Sequence, residues 1–233
     1  MIGVIVPAHN EAHAIGRCLA SIAVAAAHPG LGREPVLVVV ALDACSDATA
    51  AVCAGHGAIT VDVDARCVGT ARAAAASHAL AHGARWIAST DADTAVPQDW
   101  LWRQSLCGAD AFCGVVEVDD WLDYPERVRK AFSEREIVQD GHRHIHGANL
   151  GMSAAAYIEA GGFPALRTGE DVALVEALAG NGARIAWLAR PAVATSARRT
   201  ARAPHGFSGF LRALEREVMG AGPSLLPAHM VAE

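Results

Sequence analysis

Two carboxylates stand one residue apart in the stretch WIASTDADTAVPQDW, where the apolar run Trp86 to Ala88 leads into Asp91 and Asp93. Carboxylates at i and i+2 on an irregular turn can share a hard divalent cation. Mg²⁺ takes one or two such groups and completes its shell with diphosphate oxygens and water. Read alone, a D-x-D is a turn or a cap, but here it has company. Asn10 and Glu11 follow the run Ile2 to Pro7, and Asp43 and Asp47 follow the run Val36 to Leu42. A carboxylate so placed can accept hydrogen bonds from a nucleobase edge or a ribose hydroxyl. After Ala58 to Val63 the chain reads DVDARCVGTAR, which puts Gly69 and Arg72 at the start of a helical pattern. An arginine there is placed to meet phosphate or base.

These polar positions imply the elements that must carry them. The runs Ile2 to Pro7, Val36 to Leu42, Ala58 to Val63 and Arg85 to Thr90 are continuously apolar, as strands are when a parallel sheet is covered on both faces. Helical patterns separate them at Glu11 to Ala27, Asp47 to Ala54, Thr70 to His82 and Gln98 to Leu106, with Ser46 as an N-cap and Pro97 in a first turn. This alternation predicts a doubly wound, mainly parallel α/β sheet with helices on both faces and right-handed crossovers. In such a sheet ligands bind beyond the carboxyl ends of the strands, where the acidic residues collect.

Beyond residue 110 the rhythm changes. DAFCGVVEV reads as a further strand, Glu126 to Val138 as a helix, HIHGANLGM as a strand, Ala155 to Ala160 as a short helix and GGFP as a turn. A helix over Asp171 to Ala179 and a strand over Ala183 to Leu188 close the core. His142, His144 and His146 alternate, so a strand puts them on one face. They suit a second metal site or plain surface histidines, with His146 the one placed to contribute to the main site. Arg198, Arg199, Arg202 and His205 form a late basic patch. It reads either as a solvated loop or as a lid whose arginines clamp a diphosphate and whose histidine adds a metal ligand. Phe207, Phe210, Leu211, Leu214 and Val218 have amphipathic spacing, for packing on the chain's own domain or on a second copy in a homodimer. Trp100, Trp102 and Trp121 are assigned to core or rim.

The bulk numbers remove whole classes of function. The 233 residues are 52% hydrophobic and 19% charged, which suits one folded domain and not a disordered chain. A net charge of −6 offers no overall basic field to nucleic acid or an anionic membrane. The six cysteines include no C-x-x-C pair and read as reduced, mostly buried thiols, not zinc ligands. MIGVIVPAHNEA reads as a first strand and not a signal peptide, and no apolar run reaches the roughly 20 residues of a membrane span. The expectation is a cytoplasmic protein, with a peripheral place at the inner membrane as the alternative.

The segments VIVPAHNEAHAIGRCLASI, VVVALDACSDATAAV, GTARAAAASHALAHGARWIASTDADTAVPQDWL, GANLGMSAAAYIEAGGFP and GEDVALVEAL occur in the order that resembles the family-2 glycosyltransferases of GT-A fold. The resemblance spans roughly residues 1 to 215. It implies transfer of a sugar from a nucleoside-diphosphate donor, hexosyltransferase-like, with Mg²⁺ or Mn²⁺ at the D-x-D. It makes Pro7, Ala8 and Glu11 the nucleoside loop, Asp43 the contact to the base, and Arg72 the arginine of the family's A-R-N segment, with Ala73 in place of the asparagine. Asp91 and Asp93 match the D-x-D, the second being the direct ligand, and Asp171 matches the catalytic base with Glu170 beside it. Arg199 joins the donor-binding set and His205 the metal set. The second strand departs from the family pattern, because Leu42 precedes Asp43 where a second acid is usual.

The expected organisation is a single domain: a nucleotide-sugar half over 1–115, an acceptor and catalytic half over 116–215, and a tail over 216–233. Two other readings compete. A nucleotidyltransferase would carry a glycine-rich basic loop after its first strand, which PAHNEAHAIGRC lacks. A non-catalytic nucleotide-sugar binder would have lost Asp171 or the D-x-D. A phosphatase of the D-x-D-x-T type is excluded because Ala95 fills the threonine position.

Overall fold

The apolar runs form the strands of a central sheet, and their side chains divide between two cores. The computed structural model describes residues 1–136, 138–199 and 206–220. In chain order the elements are β1 (Ile2–Ala8), α1 (Ile15–Ala26), β2 (Val36–Asp43), α2 (Thr49–Gly55), β3 (Ile59–Val63), α3 (Val68–Ala81), β4 (Trp86–Ser89), α4 (Trp100–Ser105), β5 (Ala111–Val118), α5 (Glu126–Arg135), β6 (Leu150–Ser153), α6 (Ala154–Glu159), α7 (Glu170–Gly180), β7 (Ile185–Thr195) and α8 (Phe207–Val218). Ile2, Val4 and Val6 of β1, Val40 and Leu42 of β2, and Trp86 and Ala88 of β4 pack with α1, α2 and α4. Ile5, Val39, Ala41 and Ile87 face the other way, onto α3, α6 and α7. The period-two alternation of a strand thus builds two cores, one on each face.

Among the described residues the sheet has seven strands in the order β3-β2-β1-β4-β6-β5-β7. β1 to β4 are mutually parallel, so β1, β2 and β4 end at one edge. Of these seven strands β6 alone runs backward, antiparallel to both β4 and β5, and β5 pairs with β7 in parallel. The reversal has a consequence for the site. Ser89, the last residue of β4, sits opposite Leu150, the first of β6. The single reversed strand therefore delivers its amino end, preceded by a 3-10 turn at Gly147–Asn149, to the edge where its neighbours deliver their carboxyl ends.

Several expected boundaries move. α1 begins at Ile15, because the chain turns through Asn10 with φ +54° and Glu11 accepts backbone hydrogen bonds from Ala14 and Ile15. β6 covers only the last part of HIHGANLGM, since Gly147–Asn149 is helical. β7 runs on to Thr195, through Pro191, which an edge strand tolerates. Ser46 does not cap α2; Asp47 accepts from the Thr49 N–H at 2.9 Å instead. α8 crosses the expected boundary at 215/216, and 221–233 lie outside the described residues. Its apolar face packs on α5, with Phe210, Leu211 and Leu214 against Val128 and Phe132. The face expected to meet this domain or a second copy is thus covered within the chain. Trp100 is fully buried and donates to Asn149 Oδ1 at 2.9 Å; Trp121 meets Phe132 edge-on. All six cysteines are free thiols.

Gly69, in the first turn of α3, donates to the Leu166 carbonyl at 3.0 Å, and a Cβ there would overlap the Pro164 carbonyl. The loop before α7 therefore lies directly on α3. Gly69→Ala is expected to destabilise the protein by about 1–3 kcal/mol in urea denaturation. Gly55→Ala, whose Cβ would enter open space, should be neutral or stabilising. Equal stability of the two variants would contradict this packing.

Candidate functional site

The sheet edge opens into a cavity of about 490 Å³ lined by residues from the ends of β1, β2, β4, β5 and β7, the turn before β6, and the start of α7. Arg72 stands at its centre, 3% exposed. Its Nη2 donates to Asp91 Oδ1 at 2.6 Å and its Nε to Glu170 Oε1 at 3.0 Å, while Nη1 donates to Ser89 Oγ at 2.6 Å and to the Gly147 carbonyl at 3.1 Å. Burial alone would weaken its hold on a proton, but the charges of Asp91, Glu170 and Asp171 reverse this and raise its pKa above the ordinary arginine value. Gly147 must be glycine here, because a Cβ would overlap the guanidinium.

A second arginine, Arg198, follows β7. Its Nη1 reaches Glu11 Oε1 at 2.6 Å and Oε2 at 2.7 Å, and its Nη2 lies 3.2 Å from Asp93 Oδ2. Burial pushes Asp93 up to about 6; Arg198 opposes the rise, and the charges of Asp91 and Glu11 add to it. Burial likewise raises Glu170, with Asp171 adding and Arg72 opposing. Asp171 sits in the first turn of α7, where a helix N-terminus favours an anion. Its Oδ2 accepts the Gly147 N–H at 2.7 Å and its Oδ1 the Val172 N–H at 2.9 Å.

The structure brings Pro7, Ala8, Glu11, Asp43, Arg72, Asp91, Asp93, Glu170 and Asp171 to one cavity. Two of these nine, Asp43 and Glu170, make contacts that the sequence did not show, and Arg199, expected beside them, lies elsewhere. Asp43 spends its carboxylate on the backbone N–H groups of Ala65, Arg66 and Cys67, at 2.7–2.8 Å, so it shapes the loop between β3 and α3. Glu170 is tied to Arg72 and is a positioning group beside Asp171. Arg199 faces away: it pairs with Asp123 and with Glu215, over the Tyr124 ring at 4.2 Å. Arg198 takes the place in the cavity expected of its neighbour, which the run of two arginines could not distinguish. Arg202 and His205, the latter the third expected metal ligand, lie outside the described residues, as does the middle of the expected lid. Sequence reasoning missed Arg66 and Arg167. Both are exposed at the rim of the cavity, and neither side chain has a partner among the described residues.

Whether a divalent cation suits the site can be judged from its charge. Among the described residues six carboxylates and four arginines line the cavity; Arg72 and Arg198 pair with the carboxylates, while Arg66 and Arg167 lie exposed at the rim. Burial is the main cause of the raised pKa of Asp93, and the charges of Asp91 and Glu11 add to it against the pull of Arg198. Hard carboxylate oxygens in a negative pocket are the donor set of Mg²⁺ or Mn²⁺, and Asp91 and Asp93 fit the requirement.

The model of the family described as glycosyl transferase family 2 matches residues 3–148, more than half of the chain. No curated protein matches significantly. Among solved structures, S. aureus TarS 1–349 in complex with UDP-GlcNAc superposes with a TM-score of 0.65 at 17% identity, covering 98% of this chain and 69% of that one. The mannosyltransferase PcManGT from Pyrobaculum calidifontis, in complex with GDP-Man and Mn²⁺, gives 0.66 at 20% identity, covering 98% and 66%. M. tuberculosis glucosyl-3-phosphoglycerate synthase gives 0.54 at 16%, covering 94% and 78%. The fold is GT-A. Among the described residues no helix is long and apolar enough to cross a membrane.

The charge on Asp93 has a sign that can be measured. Its folded pKa of about 6 lies above the ordinary aspartate value of 3.8. Between these pH values the native state binds more protons than the unfolded chain, so stability falls as pH rises from about 4 to 6. In metal-free protein, Asp93→Asn should exceed the wild type in stability at pH 7–8 by about 1–3 kcal/mol, and the gap should close below pH 4. Urea denaturation at both pH values in EDTA measures this; a variant less stable than wild type at pH 8 would contradict it.

Proposed function

The chain belongs to glycosyl transferase family 2, and from that premise we propose that it moves a sugar from a nucleoside-diphosphate donor to an acceptor hydroxyl with inversion at the anomeric carbon. The observation that carries the reading is the convergence in one cavity of a D-x-D at the end of β4 and a carboxylate, Asp171, at the start of α7. The nucleotide sugars named for TarS and PcManGT, and the Mn²⁺ named for the latter, support the donor class and the cation.

Each residue then has a task. Pro7, Ala8 and Glu11 form the wall against the nucleoside, and Asp43 holds the 65–67 loop that completes it. Mg²⁺ or Mn²⁺ held by Asp91 and Asp93 would neutralise the departing diphosphate. Arg72 fixes Asp91 in place. Arg198, Arg66 and Arg167 are the cations available to phosphate oxygens, charge-assisted contacts of the strong kind. Asp171 takes the proton of the attacking hydroxyl. The Gly147 and Val172 N–H groups orient its carboxylate, and each oxygen keeps a lone pair for that proton. Residues 1–115 form the donor half and residues 116–215 the acceptor half.

Asp171→Asn should leave nucleoside diphosphate affinity in Mn²⁺ unchanged and lower the transfer rate by about 10²–10⁴-fold. Calorimetric binding, together with turnover of a nucleotide sugar, measures both. Unchanged turnover would contradict the assignment of the base. Nucleotide-sugar binding without turnover in the wild type, across a panel of acceptors, would favour a binding protein.

A further inference from the structure

A second set of metal-ligating side chains lies beside the cavity, whose lining it shares at His146, and none of its members belongs to the D-x-D. Glu136, His144 and His146 each bring one ligand atom to within 4.8 Å of the other two. The alternation that puts the histidines on one face also stacks their rings, with centroids 6.0 Å apart and planes 15° apart. His142 stacks on His144 from the far side, and its Nδ1 accepts the His144 N–H at 3.1 Å. Glu136 ends α5, where its N–H donates to the Phe132 carbonyl at 2.9 Å.

Glu136 is 8% exposed, and its buried Oε2 accepts no hydrogen bond; His144 Nε2 lies 3.5 Å away. The Nε2 of His146 is also buried without a hydrogen-bond partner. A carboxylate oxygen and an imidazole nitrogen, both desolvated and both unsatisfied, are a costly arrangement for protein atoms alone. One cation satisfies both. We propose that Glu136, His144 and His146 hold a Zn²⁺-class ion, distinct from the cation of the D-x-D. Two imidazoles and one carboxylate are borderline donors that favour Zn²⁺ or Co²⁺ over Mg²⁺. Ligand distances of about 2.0–2.2 Å require the three atoms to draw closer, which rotation of the side chains supplies. The ion ties the end of α5 to the segment leading into Gly147, whose N–H holds Asp171 and whose carbonyl holds Arg72. It is a tether for the catalytic floor.

The test is a Co²⁺ titration of the metal-depleted full chain in excess Mg²⁺, following the visible bands of Co²⁺ in a nitrogen and oxygen site. The wild type and an Asp91→Asn/Asp93→Asn variant should each bind one equivalent, and Glu136→Gln and His146→Ala should lose it while keeping a native far-ultraviolet spectrum. Should both of these variants misfold, the wild type and the D-x-D variant decide the matter, since only a site outside the D-x-D gives bands in both. Bands lost with the D-x-D, bands that survive both Glu136→Gln and His146→Ala, or no bands at millimolar Co²⁺, would overturn the proposal.

Discussion

The site depends on one buried guanidinium. Arg72 comes from the first turns of α3, yet its donors reach the end of β4, the turn before β6 and the start of α7. Those elements are distant in sequence, and the arginine brings their carboxylates and carbonyl to one point. Removing one partner from a buried ion pair is typically destabilising by about 3–5 kcal/mol, whereas forming it from solvated charges gains little. The interaction is better understood as a device for placement than as a source of stability. It holds Asp91 and Glu170 through one planar fork, and a lysine has no such fork to offer.

The rest of the fold serves this arrangement. A uniformly parallel sheet would bring only carboxyl ends of strands to the edge. The one reversed strand, β6, brings an amino end, and with it Gly147, whose carbonyl faces Arg72 and whose N–H faces Asp171. Glycine is obligatory there because the guanidinium occupies the space a Cβ would take. The carboxylates thus gathered outnumber the arginines among them. Burial, with the charges of Asp91 and Glu11 beside it, makes the carboxylate of Asp93 costly to ionise, and under the proposed function a bound cation would offset that cost.

Much of this was legible in the sequence, for physical reasons. Strands covered on both faces must be continuously apolar, so β1 to β4 stand out, and the acids at their ends mark the edge where ligands bind. Asp91 and Asp93 were singled out in that way and Asp171 by its resemblance to the family pattern, and the structure brings the three to one cavity. Partner choice was not legible. Nothing in the run Arg198-Arg199 says which guanidinium turns toward Glu11 and which toward Glu215; that follows from the twist of the chain leaving β7. Asp43 was placed at the cavity by the sequence, but its hold on three backbone N–H groups was not legible, because those donors come from a loop more than twenty residues away. The end of β7 was missed because Pro191 reads as a stop signal until the strand is known to lie on the sheet's edge. The histidine alternation was visible, and Glu136, eight residues upstream of His144, joins it only through the fold.

The central claim is that the gathered carboxylates require a cation before they can accept a diphosphate. Thermal unfolding with nucleoside diphosphate alone, Mn²⁺ alone and both together tests it directly. The account predicts that the midpoint rises far more with both ligands than the sum of the separate shifts, and that Asp91→Asn/Asp93→Asn removes the excess. A nucleoside diphosphate that stabilises the protein equally in EDTA and in Mn²⁺ would contradict it.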